Sequence, residues 1–182
     1  MKSEMADDRT HLLYSRLLRL RDRLQDRGDR LVLAESCTAG LVAAELGKIP
    51  GISDILCGSM VVYRTATKAA WLGIPSLILQ DPTLGPVSAE VTVALAQAVL
   101  EKTPEATIAG AITGHLGPES PPMLDGQLFL AFARRGVHGD SCEVESYKLS
   151  SRSPANLEDL MLRAERQKEA ADAMLDFIER KV

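Results

Sequence analysis

Cysteine is scarce in this chain. Its three residues, Cys37, Cys57 and Cys142, show neither metal-ligand spacing nor a Cys-x-x-Cys pair. An odd, sparse set of this kind excludes a disulfide framework. Aromatic residues make up 4% of the 182 residues, too few to supply stacking platforms for nucleic-acid bases. The net charge of −4 gives no basic surplus for a phosphate backbone, although it leaves room for a local basic pocket. No apolar run approaches the ~20 residues that a membrane helix needs. The polar start, Met1 to Asp8, has no signal-peptide core. Repeats and low-complexity tracts are absent too. The expectation is a cytoplasmic protein with neither nucleic acid nor membrane as partner.

What is present is ordinary globular composition, 46% hydrophobic and 25% charged, in a length that suits one domain with a full core. Residues 1–9 are expected to be disordered and 10–182 to form the domain. Leu13, Leu17, Leu20 and Leu24 recur at helical spacing over 10–26. Leu31–Ala34 reads as a short strand apolar on both faces, as in a buried parallel sheet. Helices are expected over 38–47, 65–72, 91–100 behind a Ser88 cap, and from Ser153-Pro154 to about 179. Further strands are expected over 59–63, 107–113, 127–133 and 142–149, with 75–87 irregular. The order predicts a three-layer α/β/α sandwich with a mixed, mostly parallel sheet of five or six strands. The amphipathic helices at both ends could pack on this sheet or on another copy of the chain, as a homo-oligomer.

In such sheets ligands bind beyond the carboxyl ends of the strands. Two Gly-containing turns follow strands in that way, Ala34-Glu35-Ser36-Cys37-Thr38-Ala39-Gly40 and Thr113-Gly114-His115-Leu116-Gly117-Pro118. Ser36 is the first candidate nucleophile, with backbone N–H groups of 37–40 to hold an oxyanion. On spacing alone Ser36 or Thr38 serves equally as a helix cap. Cys37 is a rival nucleophile, and Glu35 could orient a neighbour. A His–Asp arrangement is poorly supplied, because only His115 of the three histidines lies in a plausible site loop. Lys68, with Tyr63 five residues before it, is the alternative base. That role requires a depression of its pKa by roughly 3 units from about 10.4. The plain alternative is a solvated helix lysine and an edge-strand tyrosine. The 113–118 turn reads as a backbone anion cradle or as a tight turn that needs glycine.

The ordered set of motifs carries further. Glu35-Ser36-Cys37-Thr38-Ala39-Gly40 is followed by Ile49-Pro50-Gly51-x-Ser53-Asp54 and by Tyr63-x4-Lys68-x3-Leu72-Gly73. Gly85-Pro86-Val87-Ser88-x-Glu90 and Ala111-Ile112-Thr113-Gly114-x2-Gly117-Pro118 complete it. In this the chain resembles the C-terminal domain of the competence-damage protein CinA, of the stand-alone nicotinamide-nucleotide amidase type, over roughly 10–180. The expectation is a chain without the family's separate N-terminal domain. The resemblance implies a three-layer α/β/α sandwich and hydrolysis of the carboxamide of nicotinamide mononucleotide, a small nucleotide, to nicotinate mononucleotide and ammonia. It implies Ser36 as nucleophile with Tyr63 and Lys68, and neither cofactor nor metal. It also implies Glu35, Cys37, Thr38, Ala39, Gly40, Thr113, Gly114 and Arg166 as substrate or oxyanion residues, with Arg163 close to Arg166 in register. A related amidase with another small amide, or a non-catalytic binding relative, would share the cleft. The chain departs from the family pattern after Gly117-Pro118, where Glu119, Pro121 and Pro122 replace glycines.

Overall fold

A computed structural model of the chain describes residues 2–137, 139–150 and 159–182. Five strands form one sheet: β1 (Leu31–Glu35), β2 (Leu56–Val61), β3 (Ile108–Gly114), β4 (Gln127–Arg134) and β5 (Ser141–Lys148). Their spatial order is β2-β1-β3-β4-β5. β1 runs parallel to β2 and β3, whereas β4 and β5 add antiparallel. Among the described residues six α-helices accompany them: α1 (Lys2–Arg27), α2 (Leu41–Leu46), α3 (Thr65–Leu72), α4 (Ser76–Leu79), α5 (Ala89–Lys102) and α6 (Asp159–Lys181). The expected α/β/α sandwich is the fold, with a five-stranded mixed sheet.

Strand alternation sorts the two sides of the core. Leu31 and Leu33, Ile108 and Ile112, and Leu128, Leu130 and Phe132 face the layer of α1, α2 and α6. Val32 and Ala34, Ala109 and Ala111, and Ala131 and Ala133 face the layer of α3, α4 and α5. That second face is mostly alanine, so α5 can lie close on it with Val91, Leu95, Ala96 and Val99. Each fully buried Leu, Val or Ile contributes about 1.5–3 kcal/mol. Leu17, Leu20 and Leu24 of α1 are buried at the expected 3–4 spacing. Among the described residues no helix is long and apolar enough to cross a membrane.

The structure departs from the sequence expectations in local ways. Residues 2–9, expected to be disordered, belong to α1. No Pro or Gly interrupts 2–27. A four-residue helix, α4, lies inside the stretch expected to be irregular. α2 starts at Leu41, not Thr38, because residues 36–40 form a separate turn with left-handed backbone at Ala39 and Gly40. The expected start of the last helix at Ser153-Pro154 lies outside the described residues.

At the end of the sheet opposite the strands' parallel carboxyl ends, Asp29 ties the entry of β1 to β3 and β4. Its buried carboxylate accepts from Arg134 Nη1 at 2.9 and 3.0 Å, Thr107 Oγ1 at 2.9 Å and Arg27 Nε at 3.1 Å. Asp29→Ala leaves these donors unmet and is expected to cost about 2–3 kcal/mol. Calorimetry should then show Tm lower by roughly 5–10 °C. A shift under about 1 °C would contradict this account.

Candidate active site

β1 ends on Glu35, which lies opposite Val61 of β2 and Ile112 of β3. The carboxyl ends of the three parallel strands therefore share one edge. Alternation turns Glu35 toward the α2 side and Ser36 toward the α3 side, where Lys68 is buried. Ser36 is itself held by its N–H on Ile112 O at 3.1 Å.

Lys68 is 1% exposed, and its Nζ has three neighbours: Ser36 Oγ at 3.0 Å, Val62 O at 3.0 Å and Tyr63 O at 3.4 Å. Burial pushes its pKa down from 10.5 to about 8, with the Cys37 thiol opposing the shift. A neutral amine has two N–H donors and one lone pair. With the two donors on the Val62 and Tyr63 carbonyls, the lone pair is left for the hydroxyl proton of Ser36. The solvated-lysine alternative is thereby excluded.

The carboxylate of Glu35, 1% exposed, accepts from five donors. They are Thr38 Oγ1 at 2.8 Å, Gly40 N at 3.0 Å, Val42 N at 3.1 Å, Ala43 N at 3.0 Å and Ser59 Oγ at 2.9 Å. The first turn of α2 is thus filled by the protein's own carboxylate. The N–H groups expected at 39 and 40 are spent, Ala39 N on Ser36 O and Gly40 N on Glu35. Among the described residues the N–H groups of Cys37 and Thr38 have no acceptor, which leaves them to hold an oxyanion. Cys37 is no rival nucleophile: burial pushes its thiol up to about 12. Its sulfur lies against Gly114, where a Cβ would meet Leu128 Cδ2, Cys37 Sγ and Gln127 O. Gly114 is therefore glycine for lack of space.

Tyr63 meets Lys68 only through its backbone carbonyl. Its ring is half exposed, and its hydroxyl accepts a hydrogen bond from Arg163 Nη2, whose Nη1 donates to Gly117 O at 2.6 Å. Arg166 is engaged elsewhere. It is buried, pairs with Asp125 at 2.7 Å on both carboxylate oxygens and donates to Leu116 O at 3.2 Å. This pairing holds the Asp125 carboxyl below its ordinary range. The 113–118 turn is a packed loop more than an anion cradle. His115 N donates to Gln127 O and Gly117 N to Ser120 Oγ, while a Cβ on Gly117 would strike Arg166 and Asp125. Thr113 is buried with its Oγ1 2.8 Å from Thr92 Oγ1, and Thr92 donates to Ser88 O at 2.6 Å. Glu119 is exposed.

The structure thus joins Ser36, Lys68, Glu35, Cys37 and Thr38 in one place. It sets the Tyr63 hydroxyl and Arg166 apart from the Ser36–Lys68 contact. Sequence reasoning missed Ser59, Thr92 and Gln167, whose Nε2 donates to Cys37 O at 3.2 Å. Ser59 carried the clearest available signal, a hydroxyl directly before the apolar run Met60-Val61-Val62.

The CinA C-terminal domain family is matched over residues 15–167. The chain is 39% identical over 127 residues to a CinA-like protein of Chlorobium phaeovibrioides, covering 69% of this chain and 29% of that protein. With a CinA-like protein of Myxococcus xanthus the identity is 36% over 116 residues, covering 63% and 27%. The chain thus spans about three tenths of the length of these curated relatives. Among solved structures, the competence/damage inducible protein CihA of Agrobacterium tumefaciens superposes with a TM-score of 0.70 at 25% identity, covering 90% and 94% of the two chains. A CinA superfamily protein of Escherichia coli, at 22% identity, shares the fold with a TM-score of 0.73 over 91% and 90%.

Ala39 is exposed with φ 54°, a conformation that costs an L residue ~1–2 kcal/mol and glycine nothing. Glycine's greater freedom when unfolded returns part of this. Ala39→Gly is expected to stabilise the protein by about 0.5–1 kcal/mol. Denaturant unfolding should read this as a higher midpoint at unchanged slope; a lower midpoint would refute the strain.

Proposed function

The chain belongs to the CinA C-terminal domain family, and from that premise we propose that it is an amidohydrolase. The proposed reaction converts the carboxamide of nicotinamide mononucleotide to nicotinate mononucleotide and ammonia. The observation that carries this reading is the 3.0 Å contact of Lys68 Nζ with Ser36 Oγ, made by an amine whose other neighbours are both carbonyls.

Neutral Lys68 takes the hydroxyl proton as Ser36 Oγ bonds to the carboxamide carbon. The oxyanion forms in front of the Cys37 and Thr38 N–H groups. It collapses with cleavage of the C–N bond, and Lys68 passes its proton to the departing nitrogen, which leaves as ammonia. Lys68, neutral again, takes a proton from water as its oxygen attacks the acyl-serine. Cleavage of the ester then releases the acid and restores Ser36 with that proton. In this scheme Lys68 carries every proton and no cofactor is used. The half-buried Arg163, held by Gly117 O and the Tyr63 hydroxyl, is the cation proposed for the nucleotide phosphate.

A second reading, another small amide without a phosphate, is favoured by Arg166. Its guanidinium is committed to Asp125 and not open to an anion. Ammonia release from nicotinamide mononucleotide, compared with unphosphorylated nicotinamide, separates the two.

Ser36→Ala and Lys68→Ala should each lower kcat by on the order of 10³-fold. Full activity of Ser36→Ala would sink the mechanism. Because the base must be neutral, kcat/KM should rise about tenfold per pH unit below a midpoint near 8 and level off above it. A profile flat from pH 6 to 9 would remove Lys68 from the role. Tyr63→Phe should change KM more than kcat, since its hydroxyl reaches Arg163 and not Ser36. A loss of kcat as large as that of Lys68→Ala would make the phenol the base.

A further inference from the structure

Five donors on one buried carboxylate exceed what capping α2 requires. The backbone N–H groups of Gly40, Val42 and Ala43 serve the helix. The Ser59 hydroxyl does not: it comes from β2, and it reaches Glu35 Oε1 at 2.9 Å. The main chain makes the same connection, because Val62 N donates to Glu35 O at 2.8 Å. The residues just past β2, Val62 and Tyr63, supply the two carbonyls that hold Lys68. The residue after Glu35 is Ser36. A single side chain therefore touches the turn that carries the nucleophile and the strand that leads to the carbonyls of the base. The turn itself is strained, with left-handed backbone at non-glycine Ala39. Such strain persists where surrounding contacts over-determine the conformation.

We infer that Glu35, tied to β2 by Ser59, is a positioning residue that sets Ser36 against Lys68 and aims the Cys37 and Thr38 N–H groups. The inference rests on the reading of Ser36 as nucleophile. Glu35 touches no reacting atom, since all of its hydrogen bonds are internal. Glutamine cannot replace it: the amide NH2 would face at least one backbone N–H in either orientation. Ser59 acts only through its hydroxyl, so threonine should substitute and valine should not.

The test uses a fluorophosphonate, with which Ser36 Oγ forms a P–O bond while fluoride leaves and the serine proton passes to Lys68. Labelling rates are followed by intact-protein mass from pH 6 to 10, with the site mapped by peptide analysis. Thermal unfolding of each variant is recorded so that rates refer to folded protein. Ser59→Val is expected to label about tenfold more slowly, with its pH midpoint moved up as water reaches Lys68. Ser59→Thr should restore the rate to within about twofold, and Glu35→Gln should lose on the order of 100-fold. Turnover should fall in kcat with KM little changed. Wild-type rates and midpoint for folded Ser59→Val would overturn the inference, as would equal losses for Ser59→Val and Ser59→Thr. If Glu35→Gln does not fold, the Ser59 pair decides. Wild-type protein unlabelled at Ser36 would instead bring down the nucleophile reading, and the positioning role with it.

Discussion

An amine sealed between a sheet and a helix governs this site. Among the described residues Lys68 has no carboxylate beside it; its Nζ faces two carbonyls and one hydroxyl. Desolvation therefore works almost unopposed, and the charged form is penalised by roughly 3 kcal/mol relative to water. The sign of the linkage follows. The unfolded chain holds this proton up to about pH 10.5 and the folded chain only to about 8. The penalty is therefore fully present below 8 and gone above 10.5. Near neutrality the fold bears this cost at the position where a base is useful.

The remainder of the sheet's parallel edge complements that amine. The buried carboxyl group of Glu35 sits on the other side of β1 and saturates the start of α2. Strand alternation, which sends Glu35 and Ser36 to opposite faces, keeps Glu35 and Lys68 from pairing. Had the carboxylate faced Lys68, an ion pair would have held the lysine protonated and silent as a base. The alanine-rich face beneath α5 and the absence of a side chain at Gly114 let the surrounding elements close on this edge without displacing it.

Much of this was legible from residues. The apolar runs of β1 and β3, the 3–4 spacing in α1 and the Ser88 cap of α5 each point to the element that forms, because local pattern and tertiary packing agree there. The family resemblance brought Ser36 and Lys68 together before any coordinates did. The errors lie where a side chain, not the backbone pattern, decides. Residues 38–40 read as the first turn of a helix because a hydroxyl, a small residue and glycine fit either a cap or a turn. Arg166 read as an anion ligand because nothing in its sequence surroundings reveals Asp125, 41 residues earlier. The resemblance set Tyr63 beside Ser36 and Lys68, but proximity in sequence does not say which atom faces Lys68, and its hydroxyl meets Arg163.

The sequence by itself determined the layer order, the two sides of the core and the residues gathered at the strand ends, since period-2 and period-3.6 patterns encode which face is buried. Only the tertiary structure decided the state of those residues. Burial is a property of all neighbours at once, so it alone depressed Lys68 and raised Cys37. Which donor meets which acceptor across β1, β2 and α6 depends on register and approach over tens of residues. No local pattern carries that information.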